Sequence, residues 1–130
     1  MNPRNRVWMA LLAFALIAVT IACSCSSLTD LFGSSEPMSG LAGQWYDSME
    51  VTTHTIVWDG STYTVTSVTD DGQNLIITNE YWDGSTFTWT YVSPYDVAVT
   101  LQALSVSGNA LSINWWNDIG SSGTDTLYRP

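Results

Sequence analysis

The sequence predicts a small all-β domain, an eight-stranded up-and-down antiparallel meander barrel, that follows an N-terminal apolar helix and a flexible tether. Two observations predict the fold. From residue 41 onward, short runs of alternating apolar and polar residues are separated by turn residues about every ten to twelve positions, a spacing typical of β-sandwiches and barrels. A 24-residue repeat then indicates how the strands are connected.

The alternation predicts eight strands, at residues 42–48, 51–58, 62–69, 75–82, 86–92, 97–105, 110–116 and 123–129. The face with large apolar side chains is expected to point inward, and the threonine-rich face is expected to point to water. The register of strand 75–82 stays open, because Leu75 and Ile77 favour one face whereas Ile76 and Trp82 favour the other. A change of one residue would turn the whole strand over.

The sequence of residues 58–66 recurs at residues 82–90, and a degenerate third copy occurs at residues 106–114. The first two copies begin Trp-Asp-Gly-Ser-Thr. An Asp-Gly pair between apolar runs is a strong hairpin signal, since the turn needs positive φ. Each repeat unit is therefore one hairpin, short connections favour a meander, and closure into a barrel removes exposed strand edges.

Residues 1–22 have the composition of an export signal. Arg4 and Arg6 precede sixteen uncharged residues, 7–22, which is short for a membrane-spanning helix of ~20 apolar residues. A positive segment followed by a short apolar segment is typical of a signal peptide. An uncleaved anchor and an ordinary secretory signal are the alternatives.

The junction Val19-Thr20-Ile21-Ala22-Cys23 resembles the lipobox of bacterial lipoprotein precursors. The resemblance implies cleavage before Cys23 and attachment of lipid to its thiol, with Cys25 as the alternative. Together with the Ser- and Gly-rich composition of residues 24–40 and the alternation from residue 41, the resemblance divides the chain into a signal peptide (1–22), a lipidated cysteine and flexible tether (23–40) and the barrel domain (41–130). It also implies a lipid-anchored protein of the cell envelope, and the serine after either cysteine implies the outer membrane in a Gram-negative cell.

Gly43-x-Trp45 in the first strand and Arg129 near the end of the last strand resemble the lipocalin, or calycin, pattern. In that superfamily the arginine packs over the tryptophan and closes one end of an eight-stranded barrel. The resemblance implies that Gly43, Trp45 and Arg129 close the barrel in this chain. A guanidinium over an indole ring contributes ~0.5–2 kcal/mol.

Charge and residue content argue against several functions. Removal of residues 1–22 takes two of the three arginines and none of the twelve acids, which leaves a formal charge of −11. Such a surface repels nucleic acid, since binding a phosphate backbone needs clustered Lys and Arg. His54 is the only histidine, so a catalytic triad or a His-based zinc site would lack its other members. Most acidic residues fall in predicted turns, where Asp bonds its own backbone, and Glu80 is an exception. We therefore expect no catalysis, cofactor or metal site.

Two functions remain, and the sequence favours the first of them. The first is a non-catalytic surface or structural module, in which exposed aromatics (Trp58, Trp82 and Trp116 are the candidates) contact glycan or protein. The second is a lipocalin-like barrel that binds a small apolar or amphipathic ligand. A barrel interior filled by its own tryptophans would favour the module, and a void above ~300 Å³ would favour the ligand barrel.

Overall fold

The computed structural model describes residues 35–130, and there the predicted all-β antiparallel fold is confirmed as a nearly closed barrel. The predicted signal peptide, both cysteines and most of the predicted tether lie outside the described residues. No helix among residues 35–130 is long and apolar enough to cross a bilayer. The strands are β1 (Gly43–Asp47), β2 (Thr52–Trp58), β3 (Tyr63–Asp70), β4 (Gln73–Asn74), β5 (Ile76–Trp82), β6 (Phe87–Val92), β7 (Ala98–Ser107), β8 (Ala110–Asn117) and β9 (Ser122–Tyr128).

The strands form one sheet in the order β4-β3-β2-β1-β9-β8-β7-β6-β5, and every pair of neighbours is antiparallel. The first and last strands meet at Tyr46 and Tyr128, so the meander curls round on itself. The remaining opening lies between β3 and β5. There the Glu80 side chain accepts a hydrogen bond from the backbone N–H of Val65 at 3.2 Å. In a fully closed sheet this N–H would bond to the backbone of a neighbouring strand instead.

The structure has nine strands where the sequence predicts eight, because a two-residue strand precedes the predicted strand 75–82. This strand, β4, pairs with β3, and the next residue, Leu75, donates its N–H to Val68 O at 2.8 Å. From Ile76 onward the chain pairs with β6 instead. A bulge between Ile77 and Asn79 then adds one residue, which brings Leu75, Ile77 and Trp82 to the core side. The bulge therefore settles the register that the alternation left open.

The two Trp-Asp-Gly-Ser-Thr copies form matching hairpin turns. Asp59 Oδ1 accepts hydrogen bonds from the backbone N–H groups of Ser61 and Thr62, both at 2.8 Å. Asp83 Oδ1 accepts the equivalent pair, at 2.8 and 2.6 Å. These bonds hold the pKa of both carboxyls below the usual range. Gly84 has φ +98°, a backbone conformation that residues other than glycine seldom adopt.

The buried core is built from inward-facing residues of seven strands, all except β4 and β5, and from Leu41 ahead of β1. Its largest fully buried side chains come from β1, β3 and β6, and in β6 rings occupy three alternate positions. They are Trp45, Tyr63, Phe87, Trp89 and Tyr91. Phe87 stacks on Trp89 with 5.3 Å between ring centroids. Large rings let a domain of this size bury enough apolar surface, since small domains bury a smaller fraction of their surface.

The end of the predicted tether belongs to the folded domain. Met38 exchanges hydrogen bonds with the Tyr63 hydroxyl, which accepts from its N–H at 3.0 Å and donates to its carbonyl at 3.2 Å. Glu36 accepts from the N–H groups of Gly40 and Ala42. Residues 35–40 thus cover one end of the barrel, and the folded unit begins at Ser35.

Candidate functional site

The two ends of the barrel differ. One end is covered by residues 35–42 and filled by aromatic rings, whereas the other holds a cavity of about 470 Å³. The cavity opens among the turns β1–β2 (48–51), β6–β7 (93–97) and β8–β9 (118–121). A volume of this size lies within the ~300–1,000 Å³ range of small-molecule sites.

The cavity walls are mostly apolar, and their buried and half-buried apolar side chains come from β6, β7, β8 and the β6–β7 turn. Tyr91 and Leu101 are buried, and Val97, Val99 and Trp115 are half-buried. The Trp115 indole packs on Gly123 of the neighbouring strand, where an added Cβ would lie 3.1 Å from its Nε1. The missing side chain of Gly123 therefore gives the indole its place in the wall.

Three carboxylates share this lining: Asp47, Glu50 and Asp125. Asp47 is only 4 % exposed, and its Oδ1 accepts the backbone N–H groups of Met49 at 2.9 Å and Glu50 at 3.2 Å. Burial raises the pKa of Asp47, and the charge of Asp125 adds to this rise, while the two backbone bonds oppose it. The two aspartates are thus close enough to repel each other.

A buried polar chain runs from the cavity floor into the core. The Tyr91 hydroxyl lies within hydrogen-bonding reach of the Thr52 side chain. Thr52 Oγ1 lies 2.9 Å from His54 Nε2, and Trp89 Nε1 donates to His54 Nδ1 at 3.1 Å. Burial raises the pKa of Tyr91, and the charges of Glu50 and Asp47 raise it further, so Tyr91 keeps its proton at neutral pH.

The proton positions on His54 follow from its partners. An indole N–H can only donate, so Nδ1 must carry a lone pair, and the proton sits on Nε2, which donates to Thr52. His54 is fully buried, and desolvation lowers its pKa from 6.5 to about 3. The imidazole is therefore a neutral structural link.

At the opposite end, Arg129 closes the seam between β1 and the chain end. Its Cζ lies 4.1 Å from the ring centroid of Trp45, which is fully buried. Nη1 donates to Ala42 O at 3.4 Å, and Nη2 donates to Gly40 O. Gly43 has φ +132°, and a Cβ there would clash with Arg129 Nη1. The structure thus brings Gly43, Trp45 and Arg129 together.

The three tryptophans considered for surface contact do not share one exposed face. Trp58 and Trp82 are half-buried and pack on Tyr63, with ring centroids 4.7 and 4.9 Å away. Trp116 is 40 % exposed and lies on β8. It faces away from the interior, because its neighbour Trp115 faces the cavity.

Two of the cavity carboxylates fall within the predicted strands 42–48 and 123–129, where alternation places them on the inward face. Asp47 lies two residues after Trp45 in β1, and Asp125 lies two residues before Leu127 in β9. Residues two apart in a strand share a face, so both acids follow a buried residue inward. Within residues 35–130, no group of three or more His, Cys, Asp or Glu side chains has an arrangement suited to a metal ion.

Comparison of the chain with protein-family models, curated protein sequences and solved structures found no match.

Proposed function

We propose that this domain binds a small apolar or amphipathic molecule in the open end of its barrel, without catalysis. The observation that carries the proposal is the cavity of about 470 Å³, which exceeds the ~300 Å³ at which a ligand pocket becomes the better explanation. Its walls supply apolar contact through Leu101, Val99 and Trp115, while polar groups at the rim orient a ligand.

The competing function, a surface module that contacts glycan or protein through exposed aromatics, has less support. Such a module needs rings that present a common face to the partner. Trp58 and Trp82 instead pack on Tyr63, and Trp116 lies on a strand remote from theirs in the sheet.

The lipocalin-like interpretation of the barrel is part of the proposal. Its support is the stacking of Arg129 on Trp45 beside Gly43, at the end opposite the cavity. In that arrangement one end of the barrel is sealed by the pair and by residues 35–42, and the other end admits the ligand.

We also propose that the domain is carried on a lipid anchor at the cell envelope, on the outer membrane in a Gram-negative cell. The support is the Ala22-Cys23 junction after the apolar segment. Mass spectrometry of the protein from a bacterial host should show a mature N-terminus at Cys23, or at Cys25, with acyl chains attached. A variant with both cysteines changed to serine should lose membrane association, because no thiol remains to carry the acyl chains that hold the protein to the membrane. If it still fractionates with membranes, lipid is not the anchor.

A cavity-filling variant tests ligand binding. The uncharged probe N-phenyl-1-naphthylamine should bind the wild-type domain one-to-one and gain fluorescence. Val99→Trp places an indole in the cavity. The probe should therefore bind this variant at least about tenfold more weakly, a loss of about 1.4 kcal/mol in binding free energy. Val57→Trp makes the same substitution at an exposed position of β2 and should leave binding unchanged. Equal effects of the two variants, or no saturable binding by wild type, would contradict the proposed function.

A further inference from the structure

We propose that the ligand of this cavity is an organic cation, an amine or quaternary ammonium group attached to an apolar body. The inference rests on the proposed function and adds the ligand's charge to it. Three features of the cavity carry it: carboxylates without a cationic partner in the folded domain, the deep burial of one of them, and aromatic walls.

The carboxylates have no cationic partner within the folded domain. Asp47, Glu50 and Asp125 line the cavity, and the domain's single Lys or Arg side chain is Arg129. Arg129 is held at the far end of the barrel by Trp45 and backbone carbonyls. Negative charges gathered in a concave, partly apolar site focus a field that attracts positive ligands.

The burial of Asp47 disfavours its charged form. A buried carboxylate needs compensation from hydrogen bonds or from an opposite charge. Two backbone N–H groups compensate Oδ1, whereas the charge of Asp125 opposes ionisation of Asp47. A ligand ammonium in the cavity would offset this repulsion and stabilise the ionised form of Asp47.

The walls suit the rest of such a ligand. Trp115 and Tyr91 place aromatic rings in the same cavity as the acids, and a cation near an aromatic face gains ~0.5–2 kcal/mol. Leu101, Val97 and Val99 provide apolar contact for a hydrocarbon body. A bare metal ion fits less well, because hard cations require several converging oxygen ligands, and residues 35–130 hold no such group.

A matched series of probes tests the charge. Isothermal titration calorimetry at pH 7 compares the affinities of three probes that share one hydrocarbon body and differ in charge. The probes are 4-phenylbutan-1-amine, 4-phenylbutan-1-ol and 4-phenylbutanoate. The amine should bind at least about tenfold more tightly than the alcohol, a difference of about 1.4 kcal/mol. The carboxylate should bind most weakly, because like charges repel it.

Asp125→Asn should lower the amine affinity about three- to tenfold and leave the alcohol affinity unchanged, since it removes one charge from the cavity lining without changing the shape of the side chain. The unchanged alcohol affinity also shows that the variant is folded. The control Asp83→Asn removes one charge at the opposite end, where the amide oxygen still accepts the turn's hydrogen bonds, and should leave all affinities within about twofold.

Equal affinities for the three probes, or equal effects of the two variants, would overturn the charge inference and leave the proposed function standing. So would a failure of the amine to bind when N-phenyl-1-naphthylamine does. If neither the series nor that uncharged probe binds, the proposed function fails as well.

Discussion

Replacement of Trp45 by alanine should lower the free energy of unfolding by about 3–5 kcal/mol, the usual cost of truncating a large buried ring. Trp45 is fully buried at the sealed end, its Nε1 donates to Leu41 O at 2.7 Å, and Arg129 lies on its ring. Chemical denaturation of the isolated domain, residues 35–130, measures the loss. The total free energy of unfolding of a domain of this size is about 5–15 kcal/mol, so the variant should be close to unfolding.

Arg129→Ala should cost less, about 1–3 kcal/mol, through loss of the ring contact and of packing by the side-chain stem. The double variant should be less destabilised than the sum of the two single variants, because both remove the same contact. Strict additivity would mean that the two residues do not stabilise each other, and the lipocalin-like closure would lose its main support. Tyr128→Ala, at an exposed neighbour of Arg129, is a control for truncation near the seam.

Acid should destabilise the domain through His54. The unfolded chain binds a proton near the ordinary pKa of 6.5, whereas burial lowers the pKa of the folded state to about 3. Between these values the folded state binds fewer protons, so stability falls as pH falls, by up to about 1.4 kcal/mol per pH unit. The contribution is fully present above pH 6.5 and is lost progressively toward pH 3.

His54→Gln is the matched variant for this effect. A glutamine oxygen can accept from Trp89 and its amide can donate to Thr52, but the side chain does not titrate in this range. Urea unfolding from pH 7 to pH 4 should show a steeper loss of stability for wild type than for the variant, because the acidic side chains are the same in both. Parallel curves would mean that His54 takes up a proton without unfolding, contrary to its burial.

The strands and turns could be predicted because their signals are local. Asp59 and Asp83 begin turns that depend on a few neighbouring residues and on a glycine at positive φ, and the same pattern occurs in both copies. Alternation then assigns one face of most strands to the core, as for Phe87, Trp89 and Tyr91.

The bulges and the cavity depend on partners distant in sequence. Nothing local in strand 75–82 specifies that one residue is added between Ile77 and Asn79, since the bulge matches this strand to β6. The cavity lies at the end of the barrel that the large aromatic rings do not fill. Its size depends on how Trp115 of β8 packs on Gly123 of β9.

His54 shows a different limit. A lone histidine on a strand predicts no site, and alternation with Thr52 and Ile56 places it inward. Its role depends on Trp89, thirty-five residues later in the chain. Only the folded barrel brings that indole to the imidazole and links both to the cavity floor at Tyr91.

The adjacent residues Trp115 and Trp116 allow the most direct test of a ligand inside the barrel. Trp115 lines the cavity, and Trp116 lies on the outer face, 40 % exposed. Two-dimensional ¹H–¹⁵N spectra resolve their indole N–H signals, which Trp115→Phe and Trp116→Phe assign. Titration with N-phenyl-1-naphthylamine should shift the Trp115 signal saturably and leave that of Trp116 in place. A shift confined to Trp116, or none at either, would contradict a ligand-binding barrel.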